Sequence, residues 1–239
     1  MVWTSAGCAV GFGALAIVAG SRHGATALDS TVWRFLLEHR THTLNSVMKA
    51  VTAAGSGVVL TPLAVIGAGV AGWRARSWLP AVFVAVTTVG VSLLTTAFKI
   101  LFARPRPPAA LAEVTAGGWA FPSGHAANTT AVVGVLAVVA WTQLTSRRAR
   151  WLTTGVAALV VLAVGTSRLY LGVHWLTDVA AGYLMAGCWL AAALATLGPY
   201  CLGRDRHPAH AVTTAEPTAA HDEAGHRDGT GTEESGRGC

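Results

Sequence analysis

The sequence predicts an all-α polytopic membrane protein with six transmembrane helices and a disordered C-terminal tail. Of its 239 residues, 53% are hydrophobic and only 12% are charged, and the mean hydropathy of +0.51 exceeds that of ordinary water-soluble domains. Apolar runs approach or exceed the roughly 20 residues that a spanning helix needs. After residue 202 large apolar side chains almost disappear. The chain therefore divides into a membrane domain, 1–202, and a polar tail, 203–239.

Six apolar runs are the candidate spans. The fifth is short and is expected to extend through Ser167 and Arg168. Tryptophans at the ends of several runs are typical of the headgroup layer. The opening MVWTSAGC has no lysine or arginine, which favours a first span over a cleaved signal peptide. In chain order the runs are Trp3–Gly20, Ala50–Gly72, Trp78–Phe98, His125–Leu144, Trp151–Thr166 and Trp175–Tyr200.

The segment Asp29–Arg40, DSTVWRFLLEHR, mixes large apolar side chains with charged ones. This pattern fits a short interfacial helix capped by Asp29 or Ser30. An ordinary loop is an equal alternative.

The tail cannot bury enough apolar surface to offset its chain entropy, so disorder is expected from about Gly203 onward. Its histidines are too loosely spaced to favour a metal site. The four cysteines of the chain form no CxxC pair and predict neither a zinc site nor a disulfide framework. These histidines and cysteines are His207, His210, His221, His226, Cys8, Cys188, Cys201 and Cys239.

The distribution of basic residues predicts the orientation. Three clusters place two connections, the tail and the N-terminus in the cytoplasm by the positive-inside rule: Arg74 with Arg76, then Arg147, Arg148 and Arg150, then Arg204 with Arg206. The opposite face is also basic, so the assignment requires that some of its cations bind a ligand. That face carries Arg22, Arg34, Arg40, Lys49, Lys99, Arg104, Arg106 and Arg168.

Three polar segments emerge together on this opposite face: KILFARPRP (99–107), FPSGH (121–125) and SRLYLGVHWLTD (167–178). Guanidinium and ammonium groups in them can bind phosphate oxygens. Ser123 and Gly124 directly precede a helix, where N–H groups and a hydroxyl can face an anion. The cations concerned are Lys99, Arg104, Arg106 and Arg168. Together these residues predict a pocket for a phosphoryl group.

Two histidines supply candidate catalytic groups. His174 and Asp178 lie four residues apart on one helix face, so the carboxylate can hold one imidazole nitrogen and leave the other free as a nucleophile. His125 comes from another segment and can act as the acid. Each motif alone has a structural alternative, because basic residues beside a membrane often contact headgroups and His–Asp pairs are commonly structural. Their joint occurrence on one face favours phosphoryl transfer.

These motifs resemble those of the type-2 phosphatidic acid phosphatase and vanadium haloperoxidase superfamily. The resemblance covers roughly Asp29–Tyr200, and all three parts of the family signature match without a substitution. The matching residues are Lys99 with Arg106-Pro107, then Pro122-Ser123-Gly124-His125, then Ser167-Arg168 with His174 and Asp178.

The resemblance implies a mechanism. His174 would attack phosphorus to form a phosphohistidine, Asp178 would orient it, and His125 would protonate the leaving oxygen and later activate water. Phosphate would be bound by Lys99, Arg106 and Arg168, with Ser123 and the Gly124 N–H stabilising the transition state and Arg104 as an additional candidate.

The sequence thus predicts a phosphatase that hydrolyses a lipid phosphate or pyrophosphate, of phosphatidate or isoprenoid type, on the extracytoplasmic face of the cell membrane. Only Glu113 and Asp178 are carboxylates in the convergent segments, too few for a two-metal clamp, so no cofactor is expected. The expected partners are the lipid substrate and the bilayer, with no nucleic acid. The alternatives are a lipid-phosphate binding or transport protein and, against the six apolar runs, a vanadate-dependent haloperoxidase.

Overall fold

A computed structural model describes residues 2–21 and 25–202, which form helices and connections without strands in these ranges. The predicted disordered tail and its histidines lie outside the described residues. One 3₁₀ turn, Ala109–Leu111, lies between the fifth and sixth helices. The helices are α1 (Val2–Ser21), α2 (Ala27–Glu38), α3 (His42–Ala54), α4 (Gly57–Ala75), α5 (Leu79–Phe102), α6 (Gly124–Gln143), α7 (Arg147–Tyr170), α8 (Leu176–Thr196) and α9 (Gly198–Cys201).

Five of these helices, α4 to α8, are long and apolar enough to cross a bilayer. Helix α1 adds a shorter apolar stretch, Gly7–Gly20, and packs along α8. The all-α membrane fold is confirmed, with α1 as a shorter sixth member of the predicted set. The fifth predicted run does extend through Ser167 and Arg168, because α7 continues to Tyr170.

The second predicted span begins later than expected. The stretch from Ala50 to Ala54 belongs to α3, and the spanning helix α4 starts at Gly57. The chain turns at Gly55, where an added Cβ would lie 2.3 Å from Cγ1 of Val164 on α7. A glycine therefore lets the α3–α4 turn pack closely on α7, and hydropathy alone does not reveal this break.

The segment around Asp29 forms the predicted helix, but its N-cap is Thr26 rather than Asp29 or Ser30. The Thr26 Oγ1 accepts the Asp29 N–H at 3.0 Å, and the Asp29 carboxylate accepts the Thr26 N–H at 3.0 Å. This reciprocal capping box places Asp29 inside the first turn of α2. Helix α2 packs against α7 and α8, so Asp29 is carried toward their ends.

Helix α6 lies at the centre of the bundle and packs against α4, α5, α7 and α8. The connections 76–78 and 144–146 are only three residues long, so the helices that they join run antiparallel. As a result, the C-terminal ends of α5 and α7 and the N-terminal ends of α6 and α8 meet at one end of the bundle. We call this the site end.

Close packing of α6 on α8 positions the start of α6. A Cβ added to Gly182 of α8 would lie 2.8 Å from the carbonyl oxygen of Ser123 and 3.1 Å from Cβ of Ala126. Small residues allow such close approach between membrane helices.

Replacing Gly182 with alanine should therefore destabilise the bundle by about 1–3 kcal/mol, because the backbone at Ser123 has to move. Gly155→Ala is the matched control, since a Cβ there meets nothing within 4 Å. The measurement is thermal unfolding of the detergent-purified variants. Equal midpoints for the two variants would contradict the close α6–α8 contact.

Candidate functional site

The carboxylate of Asp178, in the first turn of α8, connects three segments at the site end. Its Oδ2 accepts the backbone N–H of Trp175 at 2.9 Å, which caps α8. The same oxygen lies 3.3 Å from Nδ1 of His174, and Oδ1 accepts from Arg104 at 2.6 Å. Asp178 is fully buried, so its charge depends on these donors.

His174 is buried between Asp178 and Arg106. Its Nε2 lies 3.0 Å from Nη1 of Arg106, and a guanidinium can only donate hydrogen bonds. Nε2 is therefore the unprotonated nitrogen, and Nδ1 carries the proton that faces Asp178. Burial lowers the pKa of His174 to about 3, which Asp178 opposes and the charges of Arg106 and Arg168 reinforce. At neutral pH the imidazole is neutral, with a lone pair on Nε2.

Backbone carbonyl groups hold Arg106. Its guanidinium donates to the carbonyl oxygens of Gly118 and Gly117 at 2.9 Å each and of Val173 at 2.7 Å. Gly118 has φ +67°, which glycine adopts without strain and which helps the loop turn its carbonyls inward. Burial lowers the pKa of Arg106, partly opposed by Asp178, but a guanidinium remains charged at neutral pH.

Lys99, at the end of α5, is also held by a backbone carbonyl group. Its Nζ donates to the carbonyl oxygen of Trp119, which belongs to the loop that also holds Arg106. Arg168, near the end of α7, donates to Thr52 Oγ1 at 2.7 Å. The three cations thus rest on neutral oxygens rather than on carboxylates in the hydrogen bonds that the structure describes.

The start of α6 completes the site end. The Ser123 N–H donates to the carbonyl oxygen of Asp178 at 3.0 Å, which fixes the first turn of α6 beside α8. The Ser123 hydroxyl is fully buried and has no hydrogen-bond partner among the described residues. Gly124 opens the helix beside Lys99, since a Cβ there would lie 3.9 Å from Lys99 Cε. An unpaired buried hydroxyl is costly and is commonly satisfied by a ligand or water.

His125 faces the same cations. It interacts electrostatically with Arg168, Arg106 and Lys99, and these three also repel one another. The residues from the three motifs therefore converge on one space at the site end. A bound anion would relieve the repulsion among the cations.

Arg104 lies apart from this space, behind Asp178. Only 1% of Arg104 is exposed, and its guanidinium donates to Asp178 Oδ1 at 2.6 Å, to Thr177 Oγ1 at 2.7 Å and to Asp29 Oδ2 at 2.8 Å. These donors are directed at carboxylates and a hydroxyl rather than at the cation cluster.

The sequence reasoning missed Asp29, Thr177 and Thr52 as parts of this arrangement. The pattern Thr26-x-x-Asp29 is a recognisable capping signal for the start of α2. The contact between Asp29 and Arg104 joins residues 75 positions apart and has no signature in the local sequence.

A cavity of about 290 Å³ opens beside Arg106 outside the spanning helices. Within its lining, Glu113 is paired with Lys49 at 3.0 Å. In the described ranges, no group of three or more His, Cys, Asp or Glu side chains is placed to hold a metal ion, and Cys8 and Cys201 are free thiols. The cavity is lined by Arg106, Pro107, Ala109, Ala112, Glu113, Val114, Thr115, Ala116, Gly172 and Val173.

Comparison with known protein families identifies the family of this chain. The sequence profile of the PAP2 superfamily matches residues 80–199, half of the chain. The chain belongs to the PAP2 superfamily. The matched region contains all three motifs of the site end, whereas Asp29 and helix α2 lie outside it.

Two relatives of this PAP2 protein come from Bacillus subtilis. Phosphatidylglycerophosphatase B of strain 168 is 35% identical over 143 residues, which span 59% of this chain and 68% of the relative. The crystal structure described as the first transmembrane PAP2 type phosphatidylglycerolphosphate phosphatase has a TM-score of 0.74 at 25% identity, over 81% of this chain and 95% of that one. The predicted family, the integral membrane location and the assignment as a lipid phosphatase, a phosphoric monoester hydrolase, are confirmed at this level.

The hydrogen bonds of His174 lead to a spectroscopic prediction. With a pKa of about 3, His174 should remain in the neutral Nδ1–H form between about pH 5 and 8. The measurement is ¹⁵N NMR of histidine-labelled protein, with His174→Asn used to assign the signal. A protonated imidazolium signal for His174 near pH 6 would show that its environment differs from the one described.

Proposed function

We propose that this PAP2 protein hydrolyses a lipid phosphate monoester through a phosphohistidine formed at His174, without a metal ion. Phosphatidylglycerophosphate is the first candidate substrate, because both relatives are named for activity on this lipid. Phosphatidate and isoprenoid pyrophosphates are the other members of the same chemical class to be compared.

The observation that carries the proposal is the convergence of cations on one space that contains His174 Nε2. Lys99, Arg106 and Arg168 repel one another there, and each donates to a neutral oxygen. A dianionic phosphate would replace those neutral acceptors with charged ones, which form stronger hydrogen bonds. The Ser123 hydroxyl, which has no hydrogen-bond partner among the described residues, and the N-terminus of α6 add donors for the oxygens that gain charge during transfer.

The first step requires a rearrangement of Arg106. Its guanidinium lies on His174 Nε2, so it has to turn toward the phosphate oxygens before the lone pair can reach phosphorus. The Nε2–P bond then forms as the bond from phosphorus to the leaving alcohol oxygen breaks. His125 gives its proton to that oxygen, and Asp178 stabilises the positive charge that develops on His174.

Water completes the reaction. His125, now neutral, takes a proton from the water whose oxygen attacks phosphorus, and the Nε2–P bond breaks. Inorganic phosphate leaves and His174 returns to the neutral form. The three cations supply the charge stabilisation that divalent ions supply in many other phosphatases.

An apolar cavity supports a lipid substrate. About 400 Å³ lies between α4, α5 and α6, with Leu60, Val89 and Leu93 among its lining residues. Two of these helices also carry Lys99 and His125. A phosphate at the site end would thus have an acyl-chain surface on the same helices, within the spanning region.

The purified protein should release phosphate from phosphatidylglycerophosphate in EDTA, and His174→Ala should lower kcat by at least about 10³-fold because the nucleophile is lost. His39→Ala is the matched control, since His39 is exposed at the C-cap of α2 and this variant should retain full activity. The assay compares phosphatidylglycerophosphate, phosphatidate, an isoprenyl pyrophosphate and a water-soluble phosphate.

Quenching of wild-type protein with ³²P-labelled substrate in alkaline denaturant should trap a phosphohistidine that is stable in alkali, is lost on later treatment with acid and is absent from His174→Ala. Loss of activity in EDTA that magnesium restores would overturn the metal-free mechanism. Binding of the lipid without turnover in both proteins would favour a carrier.

We further propose that the site end faces the extracytoplasmic side of the cell membrane. Arg74, Arg76, Arg147, Arg148 and Arg150 lie at the opposite ends of the spanning helices. Cations at the site end bind groups within the protein, which exempts them from the positive-inside count. Examples are Arg40 on the Tyr170 and Leu111 carbonyls and Lys49 on Glu113.

Two threonines on exposed connections test this orientation: Thr115 at the site end and Thr145 between α6 and α7. In a variant with the native cysteines replaced, Thr115→Cys should react with a membrane-impermeant maleimide on intact cells. Thr145→Cys should react only after permeabilisation. The reverse pattern would place the site end in the cytoplasm.

A further inference from the structure

We propose that Asp29 and Arg104 are positioning residues for the reaction at His174. They form a buried ionic network with Asp178. This network holds the Asp178 carboxylate toward Nδ1 of the histidine, and it offsets part of the negative charge that acts on the imidazole. This inference rests on the proposed function of His174 and adds two residues to it, one of which lies outside the region matched by the PAP2 profile.

The network consists of one guanidinium between two carboxylates. Arg104 donates through Nη1 to Asp178 at 2.6 Å and through Nη2 to Asp29 at 2.8 Å, and all three side chains are fully buried. Thr177 joins them, because its hydroxyl lies within hydrogen-bond distance of Arg104 at 2.7 Å and of both Asp29 oxygens at 2.9 and 3.0 Å. Three charged groups buried together hold a fixed geometry, since each one needs the others for charge compensation.

Asp29 also caps α8 from outside the helix. Its Oδ1 accepts the Thr177 N–H at 2.9 Å, two residues after the Trp175 N–H that Asp178 accepts. Burial alone would raise the pKa of Asp29, but hydrogen bonds from the Thr177 and Thr26 N–H groups and from Arg104 hold it below its usual value. Asp29 is therefore charged at neutral pH, as the pairing with Arg104 requires.

The charges explain why Asp29 matters to a histidine that it does not touch. Two carboxylates and one guanidinium leave one net negative charge, and Arg104 divides its attraction between them. Without the charge of Asp29, Arg104 would act on Asp178 alone and weaken its hold on His174 Nδ1–H. Without Arg104, Asp178 would attract the proton of His174 more strongly.

Other charges face His174 from every element around it. Asp178 comes from α8, Arg106 from the α5–α6 loop and Arg168 from α7. Lys99 of α5 and His125 of α6 share the space in front of it. The variants below leave all five of these residues unchanged, so an altered pH dependence would come from the network behind Asp178.

The experiment measures kcat, KM and their pH dependence for Asp29→Asn, Arg104→Gln and the double variant, with Glu38→Gln as a matched control. Glu38 is exposed on the same helix as Asp29 and its loss should change nothing. Asp29→Asn should lower kcat about 10–100-fold with little change in KM, since it touches no substrate. Arg104→Gln should move the acid limb of kcat/KM toward neutral pH.

The double variant distinguishes positioning from a structural role. Removing both charges returns the net charge of the network to minus one, as in the wild type, so the kcat of the double variant should exceed that of Asp29→Asn alone. If the two losses instead multiply, if KM rises in step with the fall in kcat, or if Arg104→Gln leaves the acid limb in place, the proposal is wrong. If Asp29→Asn does not accumulate as folded protein, the shift of the acid limb of kcat/KM in Arg104→Gln decides whether the proposal holds.

Failure of the proposed function gives a different result. In that case wild-type protein shows no turnover or no dependence on His174, whatever the network does. The ¹⁵N spectrum of His174 then tests the network without turnover: its pKa should rise in Arg104→Gln relative to wild type, and an unchanged pKa would overturn the inference.

Discussion

One carboxylate, that of Asp178, holds the site end together. It caps α8 through the Trp175 N–H, orients His174 through Nδ1 and binds Arg104. These contacts come from a helix end, a connection and a distant loop, so helix formation and the orientation of the histidine depend on the same two oxygen atoms. Because Asp178 is fully buried, none of the contacts is replaced by water when another is lost.

The cations at the site end fall into two classes according to their partners. Arg104 is bound to two carboxylates and is part of the scaffold. Lys99, Arg106 and Arg168 rest on carbonyl or hydroxyl oxygens in the hydrogen bonds described. When an anion binds to the second class, these cations exchange weak neutral acceptors for a strong charged one, and no ion pair has to be separated. Arg104 and Arg106, two positions apart in the sequence, thus differ in their partners: carboxylates for Arg104 and backbone carbonyl groups for Arg106.

The sequence predicted those features that depend on local pattern. The apolar runs located the spanning helices, and alternating spans brought three motifs to one face, where the structure also has them. The break at Gly55 was missed because it depends on contact with Val164, and Asp29 was missed because its partner is 75 residues away. The backbone carbonyl groups that bind Arg106 could not be predicted from the sequence either. Every residue has a carbonyl group, and only the conformation of the loop determines where that group points.

The carbonyl groups of Gly117, Gly118 and Trp119 have a consequence for product release under the proposed reaction. They belong to the same loop as Arg106 and accept hydrogen bonds from its guanidinium. In the proposed reaction, inorganic phosphate would therefore compete for Arg106 with acceptors that are tethered in the same loop, so that their effective concentration does not fall by dilution. In that reaction the loop would act as a built-in competitor that helps to clear the product, and its length and stiffness would influence turnover separately from the chemistry of the histidines.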